Sequence, residues 1–278
     1  MRFIDFASTI KDALRFSVKK DTFAFYFIIS VIEMLIFMAV INSNTLTALV
    51  AAVASGSTAS SLTLGVQILV AVIIIALIDI FASALLTYKF KSNSSVKSCV
   101  DVVKSKYLWL IAVVIIVGVI SAAVGTIVLL PFAAAGAEAS TAALTTIFIV
   151  AMIINWVFIF IYQEIMINNS GIVSTLRNSW SVFKKQWPNT LVTLVIALLL
   201  SLVIVTIFAL PSIYTTLGGD LSKLSSLGNG ISDAASVLFG GFAPMAVLSA
   251  IILLIGATIA KLVSIGVTTG AYLKIKRR

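Results

Sequence analysis

Residues 190–212, TLVTLVIALLLSLVIVTIFALPS, form a continuous apolar run without a charged side chain. A helix needs roughly 20 such residues to cross the hydrocarbon of a bilayer. Inside hydrocarbon a single segment satisfies its own backbone only as a helix, and a membrane strand would alternate apolar and polar residues. The run therefore predicts a transmembrane helix. Similar runs lie near 22–42, 64–88, 108–132, 144–166 and 243–273.

The composition supports the same class of protein. Of 278 residues, 61% are hydrophobic and only 10% are charged, whereas soluble domains carry about 25% charged residues. The predicted fold class is all-α, a polytopic membrane protein with six transmembrane helices in a single integral membrane domain over residues 1–278. The alternative of a cleaved signal peptide at the first run is disfavoured, because the charged segment before that run is about 20 residues long.

The scarcity of metal-binding and catalytic residue types limits the chemistry. The chain has one cysteine, Cys99, and no histidine. This excludes an intrachain disulfide, Cys/His zinc sites and catalysis by histidine. An aspartyl-type pair of Asp79 with Glu33 stays open as an enzymatic alternative. The prediction is a protein that is not an enzyme and that has no cofactor and no metal site.

The distribution of basic residues predicts the orientation. All but two of the 19 Lys and Arg residues lie in 1–20, 89–107, 167–189 and the tail 274–278, and the exceptions are Lys223 and Lys261. Because positive residues stay on the cytoplasmic side, both termini are predicted to be cytoplasmic, in the plasma membrane. The loops 43–63, 133–143 and 213–242 are then external. Orientation accounts for the net charge of +9, so no nucleic-acid partner is predicted.

A two-faced helix is predicted immediately before the quoted run. In residues 168–190, NNSGIVSTLRNSWSVFKKQWPNT, the apolar side chains recur at helical spacing, at Ile172, Leu176, Trp180, Phe183 and Trp187. Residues 2–20 and 94–107 show a similar pattern. We predict three cytoplasmic amphipathic interfacial helices and a threefold tandem repeat, with units 1–90, 91–168 and 169–278.

These helices suggest contact with membrane lipid. A helix with an apolar and a basic face lies in the interface plane, with aromatic rings at headgroup depth and Lys or Arg near anionic lipid. The alternative is a topological anchor that sets the angle of the next span. The predicted lipid-interface residues are Lys11, Arg15, Lys97, Arg177, Trp180, Lys184, Lys185 and Trp187.

The segment QEIMINNSGIVSTLRNSWSVFKKQWPNTLVTLVIALLL, residues 163–200, also carries a resemblance. It resembles a pattern in poorly characterised bacterial and archaeal polytopic proteins, including the membrane domain attached to some glycerophosphoryl diester phosphodiesterases. The matching residues are Leu176-Arg177-Asn178-Ser179-Trp180 followed by Lys184-Lys185. The resemblance implies a six-span membrane fold and no catalytic residue, since the motif concerns packing and topology.

Some polar residues within the predicted spans are candidates for function, because ionisable groups are costly there. Glu33, Asp79 and Lys261 lie roughly 18, 15 and 20 Å from the inner ends of their helices, and Asn155 lies at a similar depth. Lys261 is expected to pair with Asp79 or Glu33 as a structural staple; the alternative is a hydrated site for an ion, a proton or a lipid headgroup. Glu164 is predicted to be interfacial and to reach water.

The predicted function is that of a non-catalytic accessory or scaffold protein. Its basic cytoplasmic face would contact anionic lipids or a partner, either another protein or a second copy of the chain. The alternative is a transporter for a small solute, an ion or a lipid that uses Glu33, Asp79, Asn155 and Lys261. Against transport, no span is predicted to be broken, because Pro211 and Pro244 lie at span ends.

Overall fold

The computed structural model describes residues 3–40, 58–134, 141–216 and 244–277. These residues are helical almost throughout and include no strand. The helices in this part of the chain are α1 (Phe6–Ser17), α2 (Lys20–Val40), α3 (Thr58–Ser92), α4 (Val96–Ala134), α5 (Thr141–Val157), α6 (Ile161–Asn168), α7 (Ile172–Thr216) and α8 (Pro244–Lys276).

Among the described residues, six helical segments are long and apolar enough to cross a membrane, which confirms the prediction of a multi-pass, all-α membrane protein. Lys223 and most residues of the predicted external loops lie outside the described residues. The six segments are Lys20–Val40, Leu64–Ser92, Val96–Ala134, Thr145–Asn168, Ile172–Pro211 and Ala250–Lys276, and each overlaps one predicted run.

The chain forms two compact units, and several helices contribute to both. The first unit comprises Met1–Phe16, Ile80–Leu198 and Val263–Arg278, and the second comprises Ser17–Asp79 and Leu199–Leu262. The first unit has an apolar core around the rings of Phe160 and Tyr272, whose centroids are 5.3 Å apart. In the second unit, a Cβ atom added to Gly256 would overlap the Phe208 side chain, so α7 and α8 approach closely there.

Helix α1 is fixed at its first turn by a capping aspartate. The Ser8 amide donates to Asp5 Oδ1 over 3.2 Å, as expected of an N-cap residue. Hydrogen bonds from Ser8, its hydroxyl first and its amide second, lower the pKa of the Asp5 carboxyl because they favour the ionised form. Lys274 Nζ in α8 donates to the Asp5 carbonyl and to Thr9 Oγ1, each over 2.9 Å. These bonds attach α1 to the end of α8.

Two glycines of α8 allow α1 to pack closely against it. A Cβ atom at Gly266 would lie only 2.8 Å from the Cα atom of Ala13, and one at Gly270 would lie 3.1 Å from the Thr9 methyl group. Such small residues let helix backbones approach each other. The Gly-xxx-Gly pattern of α8 therefore serves packing within the chain.

The three segments predicted as interfacial helices differ in structure. Helix α1 is separate from α2, whereas residues 94–107 belong mostly to α4, a helix of 39 residues that continues into the third span. The third segment is the first part of α7, which is interrupted at Gln186, where φ is −131° and ψ is 26°. Pro188 follows this kink at the start of the next helical stretch, where its missing amide hydrogen costs little. The threefold repeat stays a prediction.

Candidate functional site

Two of the four predicted intramembrane residues form an ion pair in the second unit. Lys261 Nζ lies 2.8 Å from Asp79 Oδ2, and the Tyr26 hydroxyl donates to Asp79 Oδ1 over 2.9 Å. The lysine therefore pairs with Asp79 rather than with Glu33. The side chains of Lys261 and Asp79 are 37% and 31% exposed, so the pair is only partly enclosed by protein.

Glu33 belongs to the same unit but lacks a comparable partner. Its carboxyl is close enough to interact electrostatically with both Asp79 and Lys261. Its Oε1 atom is buried and accepts no hydrogen bond from the described residues. Lys261 thus lies near two acids, Asp79 and Glu33. It forms an ion pair with Asp79, and among the described residues none donates a hydrogen bond to Glu33 Oε1.

Asn155 has different surroundings and lies in the first unit. Its Nδ2 atom donates to the Ala151 carbonyl of its own helix over 2.9 Å, and its side chain lines a cavity. The predicted polar layer therefore divides into a cluster of Glu33, Asp79 and Lys261 in one unit and an asparagine in the other. Depth along each helix did not indicate this division, because it says nothing about the direction in which a side chain points.

All of the predicted lipid-interface residues are exposed. The burial of α7 shows how this arises, since its first part packs on the protein through Thr175, Ser179 and Val182. These residues share one face, at steps of four and three. The exposed residues are Lys11, Arg15, Lys97, Arg177, Trp180, Lys184, Lys185 and Trp187.

The apolar stripe of α7 is a different surface from the face that packs on the protein. Trp180 is 47% exposed and Trp187 is 50% exposed. Their rings join an aromatic group in which Phe183 lies 5.5 Å from Trp180 and 5.0 Å from Trp156, centroid to centroid. Trp156 of α5 is also held by a 2.7 Å hydrogen bond from its Nε1 atom to Thr190 Oγ1. This aromatic group contacts neighbouring residues and still presents large apolar area.

Helix α1 shows the same division between a packed face and an exposed apolar stripe. Thr9 and Ala13 are fully buried against α8, and Phe16 is also buried, with its ring packed edge-on against Phe90. Leu14 is exposed, as are Phe3 and Val18, which flank the helix. Both helices thus contact the protein through one face and leave some of their larger apolar side chains outside.

Glu164 corrects the sequence prediction, because it is fully buried instead of reaching water. Its Oε2 atom accepts hydrogen bonds from Asn168 Nδ2 (3.0 Å), Asn178 Nδ2 (3.2 Å) and Ser170 Oγ (3.4 Å). Lys276 Nζ lies 3.0 Å from Oε1, close enough for an ion pair but outside hydrogen-bond geometry. The carboxylate thereby ties α6 to α7 and α8.

The loop after α6 explains this burial. Asn169 adopts a left-handed conformation with φ of 56° and ends α6. The Ser170 amide donates back to the Glu164 carbonyl over 3.2 Å, which folds the chain over the glutamate. Asparagine and serine side chains clustered four to six positions after a glutamate were the available sequence signal.

The fourth span is broken, which contradicts the prediction that no span is interrupted. A turn over residues 158–160 separates α5 from α6. The Ile161 amide donates to the Phe158 carbonyl three residues back, over 3.2 Å, and Phe160 has φ of −105° and ψ of 17°. Neither proline nor glycine occurs between residues 141 and 170, so the usual sequence signal for a break is missing.

A cavity of about 530 Å³ adjoins this break within the first unit. Residues of α4, α5, α6, α7 and α8 line it together with the turn, and most of them are apolar. Irregular backbone inside a membrane is tolerated where it lines a cavity or is buried in protein. Thr268 of the cavity wall accepts a 3.4 Å hydrogen bond from Gln163 Nε2, so the wall is linked to the residue beside Glu164.

Comparison with known protein families, with curated proteins and with solved structures finds no match for this chain.

Proposed function

We propose that this chain is a non-enzymatic accessory or scaffold protein of the plasma membrane whose basic cytoplasmic face contacts anionic lipids. One observation carries the proposal. The amphipathic first part of α7 packs on the protein through Thr175, Ser179 and Val182 and leaves Trp180 and Trp187 of its apolar stripe exposed beside basic side chains.

The geometry of α7 matches what an interfacial helix requires. In a soluble protein, an aromatic stripe would be the face that packs on the core. Here Trp180 and Trp187 are half exposed, while Lys184 and Lys185 on the same helix are also exposed. Amphipathic tryptophan rings are favoured at headgroup depth, and nearby cations attract anionic lipid.

Helix α1 supports the same interpretation independently. It buries one face, which includes Thr9, Ala13 and Phe16, and exposes Leu14 together with Lys11 and Arg15. An isolated exposed leucine needs no explanation. Two separate helices with the same exposed combination of apolar and basic side chains are better explained by one shared environment, the surface of a bilayer.

Site-resolved fluorescence quenching tests the proposal. Trp180 would be the only tryptophan of the full chain, with phenylalanine at positions 109, 156 and 187, reconstituted in phosphatidylcholine nanodiscs. Brominated phosphatidylglycerol should quench Trp180 more strongly than brominated phosphatidylcholine at equal mole fraction. Each lysine near the surface contributes about 1 kcal/mol to anionic lipid binding. The two lysines together contribute about 2 kcal/mol, so Lys184→Gln with Lys185→Gln should reduce the preference by more than about tenfold.

The matched control is Lys104→Gln with Arg277→Gln, which removes the same charge at two other exposed positions. This variant should keep the preference for phosphatidylglycerol. Equal quenching by the two lipids in the parent protein would contradict an anionic-lipid site. Absence of quenching by either lipid would show that lipid does not contact Trp180 and would contradict the proposal.

Transport is a second candidate, favoured by the partly exposed Lys261–Asp79 pair and the unpartnered Glu33 Oε1 atom. A hydrated site would be reached by a membrane-impermeant maleimide at Ala76→Cys in a Cys99→Ser background. Ala76 is exposed and lies one helical turn before Asp79. Labelling that changes with Asp79→Asn would support a hydrated transport site. No labelling from either side would indicate a dry structural pair and exclude this candidate.

A further inference from the structure

We propose that the cavity beside the break in the fourth span binds a neutral amphiphile, a long apolar chain that carries one uncharged hydroxyl-bearing head, such as a long-chain alcohol. This site lies within the first unit and does not involve the predicted polar residues Glu33, Asp79 and Lys261.

The size and wall of the cavity suit an apolar chain. Its volume of about 530 Å³ lies within the range of roughly 300–1,000 Å³ that small-molecule sites occupy. Val117, Phe148, Met152 and Leu194 are among the side chains that form its apolar wall. A ligand chain placed there would contact hydrocarbon groups on several helices.

The charge of the wall predicts a neutral head. The lining residues include no Lys, Arg, Asp or Glu. A phosphate, carboxylate or ammonium group entering the cavity would lose hydration without gaining a counter-charge, which costs several kcal/mol. A hydroxyl group has a much smaller desolvation cost that one or two hydrogen bonds can offset.

Polar atoms that a hydroxyl head could bind are present in the same wall. Asn155 uses its Nδ2 atom on the Ala151 carbonyl, and its Oδ1 atom has no partner among the described residues. Ser264 lines the cavity as well, and its hydroxyl likewise makes no hydrogen bond within the described part of the chain. Unpaired polar groups within a membrane span are costly, so a head that donates to one and accepts from the other is favoured.

The break in the fourth span places this site within a membrane segment. Phe158 and Ile159 of the turn line the cavity, and Asn155 stands one turn before them. Interrupted helices recur at substrate sites of membrane proteins, because an irregular segment is tolerated where it lines a cavity. The break, the apolar wall and the unpaired polar atoms are therefore explained together by a bound amphiphile.

Photolabelling of the full chain in phosphatidylcholine nanodiscs tests this inference. The probe is hexadecanol that carries a diazirine on its chain, and the labelled positions are mapped by mass spectrometry. Labelling should concentrate on residues 148–162 and should decline when unlabelled hexadecanol is added. The matching diazirine palmitic acid should label these residues several-fold less at neutral pH, because its carboxylate finds no counter-charge.

Variants that fill the cavity separate the site from general lipid contact. Ala197→Phe adds a ring to the wall, and Val117→Phe does so from another helix in case the first variant does not fold. Both should lose competable labelling, while Ala123→Phe, at an exposed alanine outside the cavity, should keep it. Labelling that is not competed, that survives filling, or that is equal for alcohol and acid would overturn the inference.

Discussion

Removal of the buried Glu164 carboxylate should destabilise the protein more than any comparable surface change. In Glu164→Ala, the Nδ2 groups of Asn168 and Asn178 lose an acceptor at 3.0 and 3.2 Å, and Lys276 loses the anion 3.0 Å away. Hydrogen bonds to charged groups contribute about 1.5–3 kcal/mol each. The third bond, from Ser170, is long at 3.4 Å and adds little.

The expected loss of stability is smaller than these contributions suggest, because solvent reaches one end of the ion pair. The Lys276 side chain is 37% exposed and can be rehydrated when its partner is removed, so the attraction to it is partly screened. Part of the cost of burying the carboxylate is also recovered. We therefore expect a loss of about 3 kcal/mol in the free energy of unfolding of Glu164→Ala, and about 1 kcal/mol for Lys276→Met.

Unfolding of detergent-solubilised protein by sodium dodecyl sulfate, followed by tryptophan fluorescence, measures these differences. Asp101→Ala is the matched control, since Asp101 is an exposed acid on α4. The expected order of destabilisation is Glu164→Ala, then Lys276→Met, then Asp101→Ala. If Glu164→Ala is no more destabilising than Asp101→Ala, the carboxylate does not hold the three helices together and the reasoning is refuted.

Three further changes test other contacts. Gly266→Ala places a methyl group against the Ala13 backbone and should lower the free energy of unfolding, measured by thermal unfolding, by about 1–3 kcal/mol. Gly118→Ala is the control and should not destabilise the protein, because a Cβ atom there meets nothing within 4 Å. Equal effects of the two substitutions would contradict the close packing of α1. Asp79→Asn should lower the free energy of unfolding by about 1 kcal/mol, because its partly exposed partner Lys261 is only partly screened by solvent. A stabilised variant would show that this ion pair does not stabilise the fold. The pKa of Asp5 is lowered from its ordinary value of 3.8. The contribution of its carboxylate to folding stability is therefore present above that value and is lost as the pH falls through the lower folded-state pKa. Asp5→Asn should remove this pH dependence of the melting temperature, and an unchanged pH dependence would contradict the capping role.

Much of the architecture followed from local properties of the sequence. The length and hydropathy of each apolar run predicted six spans, because hydrocarbon requires every spanning segment to satisfy its own backbone. The kink before Pro188 was similarly predictable, since proline favours the first turn of a helix. The spacing of Gly266 and Gly270 is also a local signal for close helix packing, because neither residue has a side chain.

The candidate sites depended more on tertiary structure. The charged residues within the spans predicted that Lys261 pairs with an acid. They did not decide between Asp79 and Glu33, because that choice depends on which side chains of different helices face each other. Periodicity identified the apolar stripe of α7, yet it did not reveal that the face of Thr175 and Ser179 would be the one that packs on the protein.

The sequence by itself determined a six-span helical membrane protein with basic residues near its span ends, because hydropathy and charge act residue by residue. Only the tertiary structure decided that Glu164 is buried and that the fourth span breaks at residues 158–160. The burial of Glu164 requires a loop that folds back, a partner from the next helix, α7, and a partner from the distant helix α8. The sequence around the break contains no proline or glycine that would predict it. The break adjoins a cavity that the surrounding helices line.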